Sequence, residues 1–397
     1  MIDEILTRGV DEVIDKKNLE EKLASGKKLR IKLGIDPTSP NLHLGRAIPL
    51  LKLRDFQNAG HKIILIIGDF TGVIGDTSDK ESERPMLGEK IIKQNMKTYI
   101  KQAGKILDIK KCEVRHNSEW LKKLDYHEIG RQAENFSLNE FISRENIKKR
   151  LDDGKRISLR ELMYPLMQGY DSVAIKAGVE IGGTDQRFNL LAGRQLQRFY
   201  KQEPQDIITN PLIEGLDGRK MSSSWGNTVN LLDSADEMFG KIMSLKDEFI
   251  IKYFTLVTRV RLQEIEEIKK IPNPRDQKAI LAKEIVKMYH GEKLAERAEK
   301  EFNKIFRNKE LPSDMPVLEI PAGKYNIIDL LCLPAGRQAT PLVPSKNEAK
   351  RLVEQKAVEI LNGENKTKIT DWKAEINLEN GTIIKVGGRR FMKLKLK

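Results

Sequence analysis

The chain's 397 residues exceed what one hydrophobic core ordinarily serves, and 71 Lys and Arg against 58 Asp and Glu give a formal charge of +13 and a pI near 9.4. That balance favours a polyanionic partner, nucleic acid foremost, with a merely solvated lysine-rich surface as the alternative. Cys112 and Cys332 are too few for a disulfide framework and lie in no metal-ligand spacing, so no metal site is expected; no apolar run nears the roughly 18 residues of a membrane span, and Asp3 and Glu4 stand where a secretory signal carries bases, so a reducing, cytoplasmic setting is expected.

Residues 29–35 read as a short buried strand, after which Leu44, Ala47, Ile48, Leu51 and Phe56 recur at helical spacing. Between them lies Pro37-Thr-Ser-Pro-Asn-Leu-His-Leu-Gly-Arg46, preceded by Asp36. At such a strand-to-helix junction Thr38 and His43 can donate to phosphate oxygens, and Gly45 leaves room for a flat ring. Residues 61–67 form a second apolar strand, running into the glycine-punctuated loop Gly68 to Asp76. Together these segments make a βαβ unit, whose ligands belong at the carboxyl ends of its strands.

Residues 105–165 are charged and helical in pattern, and read as an insertion that can serve as an interface. Val179 to Gln186 returns to strand and loop, with a helix over 188–200. Next comes Gly218-Arg-Lys-Met-Ser-Ser-Ser224. It reads either as a solvated serine turn or as a loop whose Lys220 follows charge as it migrates onto a leaving pyrophosphate. Helices are expected over 234–243 and 276–290, and the prolines between 311 and 344 read as a linker, set at 321–344. The tail from Ser345 holds 13 Lys and Arg against 7 Asp and Glu, and predicts a small basic module of one amphipathic helix followed by strands.

The segments ending at Arg46 and Ser224 resemble, in order, the HIGH and KMSKS signatures of class I aminoacyl-tRNA synthetases. Tyr164-Pro-Leu-Met-Gln-Gly-Tyr-Asp171, Gly182-Gly-Thr-Asp-Gln186 and Asn117-Ser-Glu-Trp120 are similar to segments of bacterial tyrosyl-tRNA synthetases, and the tail resembles an S4-type RNA-binding domain. The resemblance implies a Rossmann-like parallel-sheet catalytic domain with an insertion over 1–219, a helical anticodon-binding domain over 220–320, and a small α+β S4-like domain over 345–397. It implies ATP with Mg²⁺, tyrosine and tRNA(Tyr) as substrates, no tightly bound cofactor, and a homodimer.

Carried onto this sequence, the same resemblance implies that Asp76, Tyr164 and Gln168 hold the substrate ammonium and that Asp171 accepts from its phenolic hydroxyl. Asp185 then meets the ribose, and Gln186 lies near the carboxylate and α-phosphate. Gly34, Asp36, His43, Gly45, Arg46 and Gly183 line the nucleotide, while Lys220, Met221 and Ser222 face the triphosphate. Thr38, His43 and Lys220 are the expected catalytic groups, and Lys350, Arg351, Arg389 and Arg390 the expected RNA contacts. The chain departs from the pattern at Arg46, where a second histidine is usual, and at Ser223, where a second lysine is usual. Lys32 stands where one branch has a tyrosine touching the substrate hydroxyl, and is placed in the tyrosine site. The tryptophanyl enzyme of the same class and a catalytically idle RNA binder are the alternatives.

Overall fold

A computed structural model describes residues 2–76, 86–313, 315–335, 340–363, 365–388 and 390–397, and resolves into two compact units, Met1–Ala295 and Glu296–Lys397. The first is built on a six-stranded sheet: β1 (Glu12–Ile14), β2 (Arg30–Ile35), β3 (Lys62–Ile67), β4 (Glu113–His116), β5 (Val179–Gly183) and β6 (Asp206–Asn210). The strand order is β1-β6-β5-β2-β3-β4, parallel throughout except for the edge strand β1.

Helices cover both faces of a parallel sheet, so its inner strands are apolar on both sides. Ile63 to Ile67 of β3 are all buried accordingly. The chain steps from β2 to β3 through the Leu44–Asn58 helix, which buries Leu44, Ala47, Ile48, Leu51 and Phe56 as its spacing predicts. From β2 it also pairs with β5 on the opposite side, so the strand order reverses between β2 and β5. A crevice opens at the carboxyl ends of strands at such a reversal.

Two helices close the crevice from one face, Leu159–Ile175 and Arg187–Phe199. The first begins in a capping box between Ser158 and Glu161, and Glu161 also binds the buried Arg150 guanidinium at 2.6 and 3.1 Å. Gly169 lets the pair approach: a Cβ there would sit 3.0 Å from the Ala192 backbone.

The sequence reading needs three corrections here. The insertion does not begin at residue 105, because Glu113–His116 joins the sheet beside β3; the inserted helices follow it, from Ser118 to Asp152. The expected division at 219 and 220 is not a break. Leu44 N–H bonds Val229 O at 2.9 Å and Leu231 N–H bonds Leu42 O at 2.8 Å, stitching the later segment to the first βαβ unit. Nor is 321–344 a linker, since Ile327, Ile328, Leu330, Leu331 and Val343 lie in the core of the second unit with Val353, Ile384 and Leu394.

That second unit is a five-stranded sheet in the order 365–369, 358–362, 383–386, 390–396, 317–320, antiparallel but for the last pair. Helices Ile327–Cys332 and Lys346–Glu354 accompany it. Among the described residues, no helix is long and apolar enough to cross a membrane.

Candidate active site

Loops leaving β2, β3, β4, β5 and β6 surround one cavity at the strand-order reversal, and the loop carrying Lys220 forms part of its wall. Gly34 and Asp36 enter it from the end of β2, and the helix that follows begins at His43. The His43 imidazole is buried and its Nδ1 lacks a partner, and burial first, then Arg46 and Lys220, pulls its pKa down to about 3. It is therefore neutral at ordinary pH and presents one N–H donor. A Cβ on Gly45 would lie 3.1 Å from that ring, so a glycine is what lets the imidazole fold back over the helix start.

Arg46 lines the cavity and is held within the protein. Its guanidinium donates to Asp36 O at 2.9 Å, Tyr99 Oη at 3.3 Å and Thr38 Oγ1 at 3.1 Å, tying the loop and Thr38 against the wall. Asp36 accepts from Thr71 Oγ1 at 2.7 Å and Tyr164 Oη at 2.9 Å, and burial raises its pKa to about 6 against those two bonds. Gly68 makes the arrangement possible: a Cβ there would fall 1.9 Å from Asp36 Oδ1 and 2.4 Å from Thr71 Oγ1.

Asp171, 3 % exposed, also lines the cavity, accepting from Trp120 Nε1 at 2.8 Å and Asn117 Nδ2 at 3.4 Å. Burial raises its carboxyl to about 7, opposed chiefly by the positive charge of Lys32. Asn117 also accepts from Phe70 N–H at 3.0 Å and donates to Thr71 at 2.8 Å, so one side chain couples the β3 and β4 loops to this carboxylate. Sequence reasoning quoted Asn117 and Trp120 only as a resemblance; their bonds to Asp171 form across a sequence gap of about fifty residues that no periodicity reveals.

Lys32 is corrected. It does not face the cavity but lies fully buried behind it, opposite Glu180 on the neighbouring strand. Its ammonium is 2.9 Å from Glu180 Oε1 and donates to Ser172 Oγ at 2.8 Å and Gln168 O at 3.0 Å. Gln168 lines the cavity, and its amide is fixed from behind: Nε2 donates to Glu180 at 3.1 Å and Oε1 accepts from Asn189 at 3.1 Å. Those two bonds fix the amide's orientation while leaving it one further N–H and one further lone pair. A buried pair that satisfies its hydrogen bonds this completely sets orientation more than it adds stability.

The third wall carries Gly183, Asp185 and Gln186 from β5, with Asp76 near them: Gln186 Nε2 bonds Asp76 Oδ2 at 3.3 Å. Lys220 Nζ donates to Asp185 Oδ2 at 2.8 Å. The loop bearing it is braced by buried Asn227, which donates to Asp217 at 2.7 Å and Lys220 O at 3.1 Å and accepts from Ser222 N–H at 2.8 Å. Met221 tucks its sulfur 3.3 Å from Gly45 N–H, so the loop docks onto the start of the Leu44–Asn58 helix.

In the second unit, Arg351 and Arg390 converge on Glu348, at 3.7 and 3.9 Å, while Lys350 lies 4.5 Å over the Trp372 ring. Arg389 lies outside the described residues.

A largely parallel sheet with His43 at a helix start, the Asp185 carboxylate and a lysine-bearing loop around one cavity at its strand-order reversal has the architecture of a nucleotide-binding α/β enzyme. The profile of the class I tRNA synthetases (W and Y) matches residues 24–307. The chain is 45 % identical over 396 residues to "Tyrosine--tRNA ligase" of Thermotoga maritima, covering 98 % of this chain and 96 % of that protein. It is 44 % identical to that of Shewanella oneidensis, over 100 % and 99 %. In fold it is similar to a truncated mitochondrial tyrosyl-tRNA synthetase of Aspergillus nidulans (TM-score 0.65, 22 % identity, 76 % of this chain and 93 % of that one). It is likewise similar to the tyrosyl-tRNA synthetase of Archaeoglobus fulgidus (TM-score 0.60, 23 % identity, 75 % and 98 %). The chain belongs to the bacterial tyrosyl-tRNA synthetases, within class I.

Proposed function

We propose that the cavity carries both steps of tyrosine–tRNA ligation, with the phenol at Asp171 and the triphosphate between His43 and Lys220. A carboxylate oxygen of tyrosine attacks the α-phosphorus of ATP, the bond to the bridging oxygen breaks, and tyrosyl-adenylate and diphosphate result. The terminal ribose hydroxyl of tRNA(Tyr) then attacks the carbonyl carbon and AMP leaves. No protein nucleophile is needed; positioning and electrostatics supply the rate.

The observation that carries this reading is the buried acceptor Asp171 in the same cavity as a neutral imidazole and a lysine. In it, Tyr164, Gln168 and Asp76 receive the ammonium, with the Gln168 amide held in orientation by Glu180 of the Lys32–Glu180 pair. Asp185 exchanges Lys220 for the ribose hydroxyls, releasing the ammonium toward the phosphates, while Thr38 and His43 donate to the leaving oxygens. ATP enters as its Mg²⁺ complex. Exchange of labelled diphosphate into ATP tests the reading: tyrosine supports it, and tryptophan and phenylalanine do not.

The exposed apolar side chains of Tyr126, Leu138 and Leu159, at 94, 64 and 79 %, support a homodimer built through the inserted helices. Sedimentation of a variant with Leu138 and Leu159 changed to Lys is expected to give the monomer mass. The basic second unit is read as an RNA-binding module, with Lys350, Arg351 and Arg390 toward phosphates, and the chain as a cytoplasmic protein.

A further inference from the structure

One exposed aromatic side chain beside the cavity takes no part in the chemistry above. Trp225 follows the serines that line the cavity wall, in the short 3₁₀ turn Ser223–Trp225, and its side chain is 48 % exposed. The loop does not depend on the indole for its shape. Asn227 and Asp217 hold it from beneath, and Gly215 is matched to Asn227 so closely that a Cβ would sit 2.4 Å from its amide carbon. Exposing half of a tryptophan forgoes the burial that large aromatic side chains otherwise gain, so the position calls for an occupant.

Three features say what kind. The Arg219 guanidinium lies 4.6 Å over the indole ring, and Asp217 pins it with bonds of 2.8 Å from Nε and 2.6 Å from Nη2. The ring is thus backed on one face by an immobilised planar cation. Lys246 stands beside Gly218, the residue before Arg219, its Nζ 2.6 Å from where a Cβ on Gly218 would be, and it is exposed. A flat exposed π surface flanked by cations is suited to an unpaired nucleobase and its phosphate. Finally, Lys220, Ser222, Ser223 and Ser224 of this same loop line the cavity, so an RNA end delivering its terminal hydroxyl there arrives at the loop that carries the indole.

We propose that Trp225, backed by Arg219, is a stacking platform for an unpaired base at the 3′ end of the tRNA, with Lys246 taking an adjoining phosphate. The proposal rests on the reading that the adenylate forms in this cavity. It places Trp225 in the transfer step and outside the activation step.

The test uses the full chain with two RNAs, tRNA(Tyr) transcript and the same transcript lacking its unpaired 3′ nucleotides. Wild type is expected to bind the shortened RNA more weakly, and Trp225→Ala to bind both alike, with affinity for the intact RNA reduced about tenfold, the scale of one lost base–aromatic stack. Trp225→Phe keeps most of the preference. Tyrosine-dependent diphosphate exchange stays unchanged in Trp225→Ala, whereas Lys220→Ala loses it. If truncating the RNA costs wild type and Trp225→Ala the same factor, the platform is overturned. It is equally overturned if Trp225→Ala raises the KM for ATP in exchange, which would make the indole a brace for the activation loop. Exchange retained in Lys220→Ala would instead strike at the placement of the adenylate.

Discussion

Lys220 and Asp185 are bonded to one another across the mouth of the cavity at 2.8 Å, so the lysine of one signature occupies the carboxylate expected to meet the ribose. In the proposed reading, nucleotide binding exchanges that partner for hydroxyls and frees the ammonium for the phosphates. Lys220→Ala is expected to slow adenylate formation by about 10²-fold or more, the scale of removing one transition-state donor, while the Kd for tyrosine stays within about twofold. Single-turnover adenylate formation and equilibrium tyrosine binding check it.

Asp171 gives a pH signature. Burial raises its carboxyl to about 7, and in the proposed reading the ionised form accepts from the phenol. Tyrosine affinity is therefore expected to fall as pH drops through about 7, approaching about tenfold per pH unit, and Asp171→Asn is expected to bind weakly with a flat profile. The sign for stability is opposite to that of a salt-bridged carboxylate. A folded-state value raised above the unfolded value lets the native chain hold a proton that the unfolded chain releases from about pH 4 upward, so this group's contribution is present at low pH and lost by about 7. Denaturant midpoints of wild type against Asp171→Asn across that range measure it.

Lys32 acts on Asp171 through charge alone, since it opposes the upward shift without touching the cavity. Lys32→Met is expected to move the inflection in tyrosine affinity to higher pH. It also leaves Glu180 buried without its cation, at a cost of about 3–5 kcal/mol, so Lys32→Met combined with Glu180→Gln is the variant in which the profile is read. An inflection that stays in place while KM alone rises would make Lys32 a packing residue only.

Gly68→Ala tests the Asp36 cluster. The new methyl collides with a carboxylate that Thr71 and Tyr164 both hold, so the pair must separate and Tyr164 must turn. Overpacking of this kind costs about 1–3 kcal/mol, and a weakened KM for tyrosine together with a lowered Tm is expected. Gly88→Ala, at φ −64° and with nothing within 4 Å of the added methyl, is the control without that collision.

Truncation should respect the core of the second unit. Removing residues 345–397 strips Val353, Val358, Ile384 and Leu394 from Leu318, Ile327 and Leu331 and exposes a half core, whereas stopping at Leu311 removes that core whole. The shorter chain is expected to remain soluble and keep tyrosine-dependent exchange while losing tRNA charging; the longer fragment is expected to aggregate. Light scattering and the two activity assays distinguish them.

The inner strands were legible because burial on both faces writes continuous apolar runs such as Ile63 to Ile67. The edge strands β1 and β4 were not, since Glu12-Val-Ile14 and Glu113-Val-Arg-His116 are short and half-buried, and edges need no apolar alternation. Prolines at 334 and 341 suggested a linker, yet both sit in short outer strands where a missing N–H is tolerated. The cavity's lining followed from motif positions on loops after β2 and β5. What lay behind it did not: Lys32 has the charge of a ligand-facing residue, and only the register opposite Glu180 shows that the charge is satisfied within the core. Arg46 was ambiguous for a related reason, because three acceptors drawn from separate segments decide where its guanidinium points.

The backbone stitches from Leu42 and Leu44 to Leu231 and Val229, with Glu214 bridged to Lys220, fasten the lysine-bearing flap close to both of its roots. Its stroke is then that of a short hinged tab, and reach must come from the four-carbon arm of Lys220 swivelling over a fixed mount. Insertions that lengthen the tab are thereby expected to blunt timing rather than strength of grip, since they slacken the mount and leave the arm unaltered.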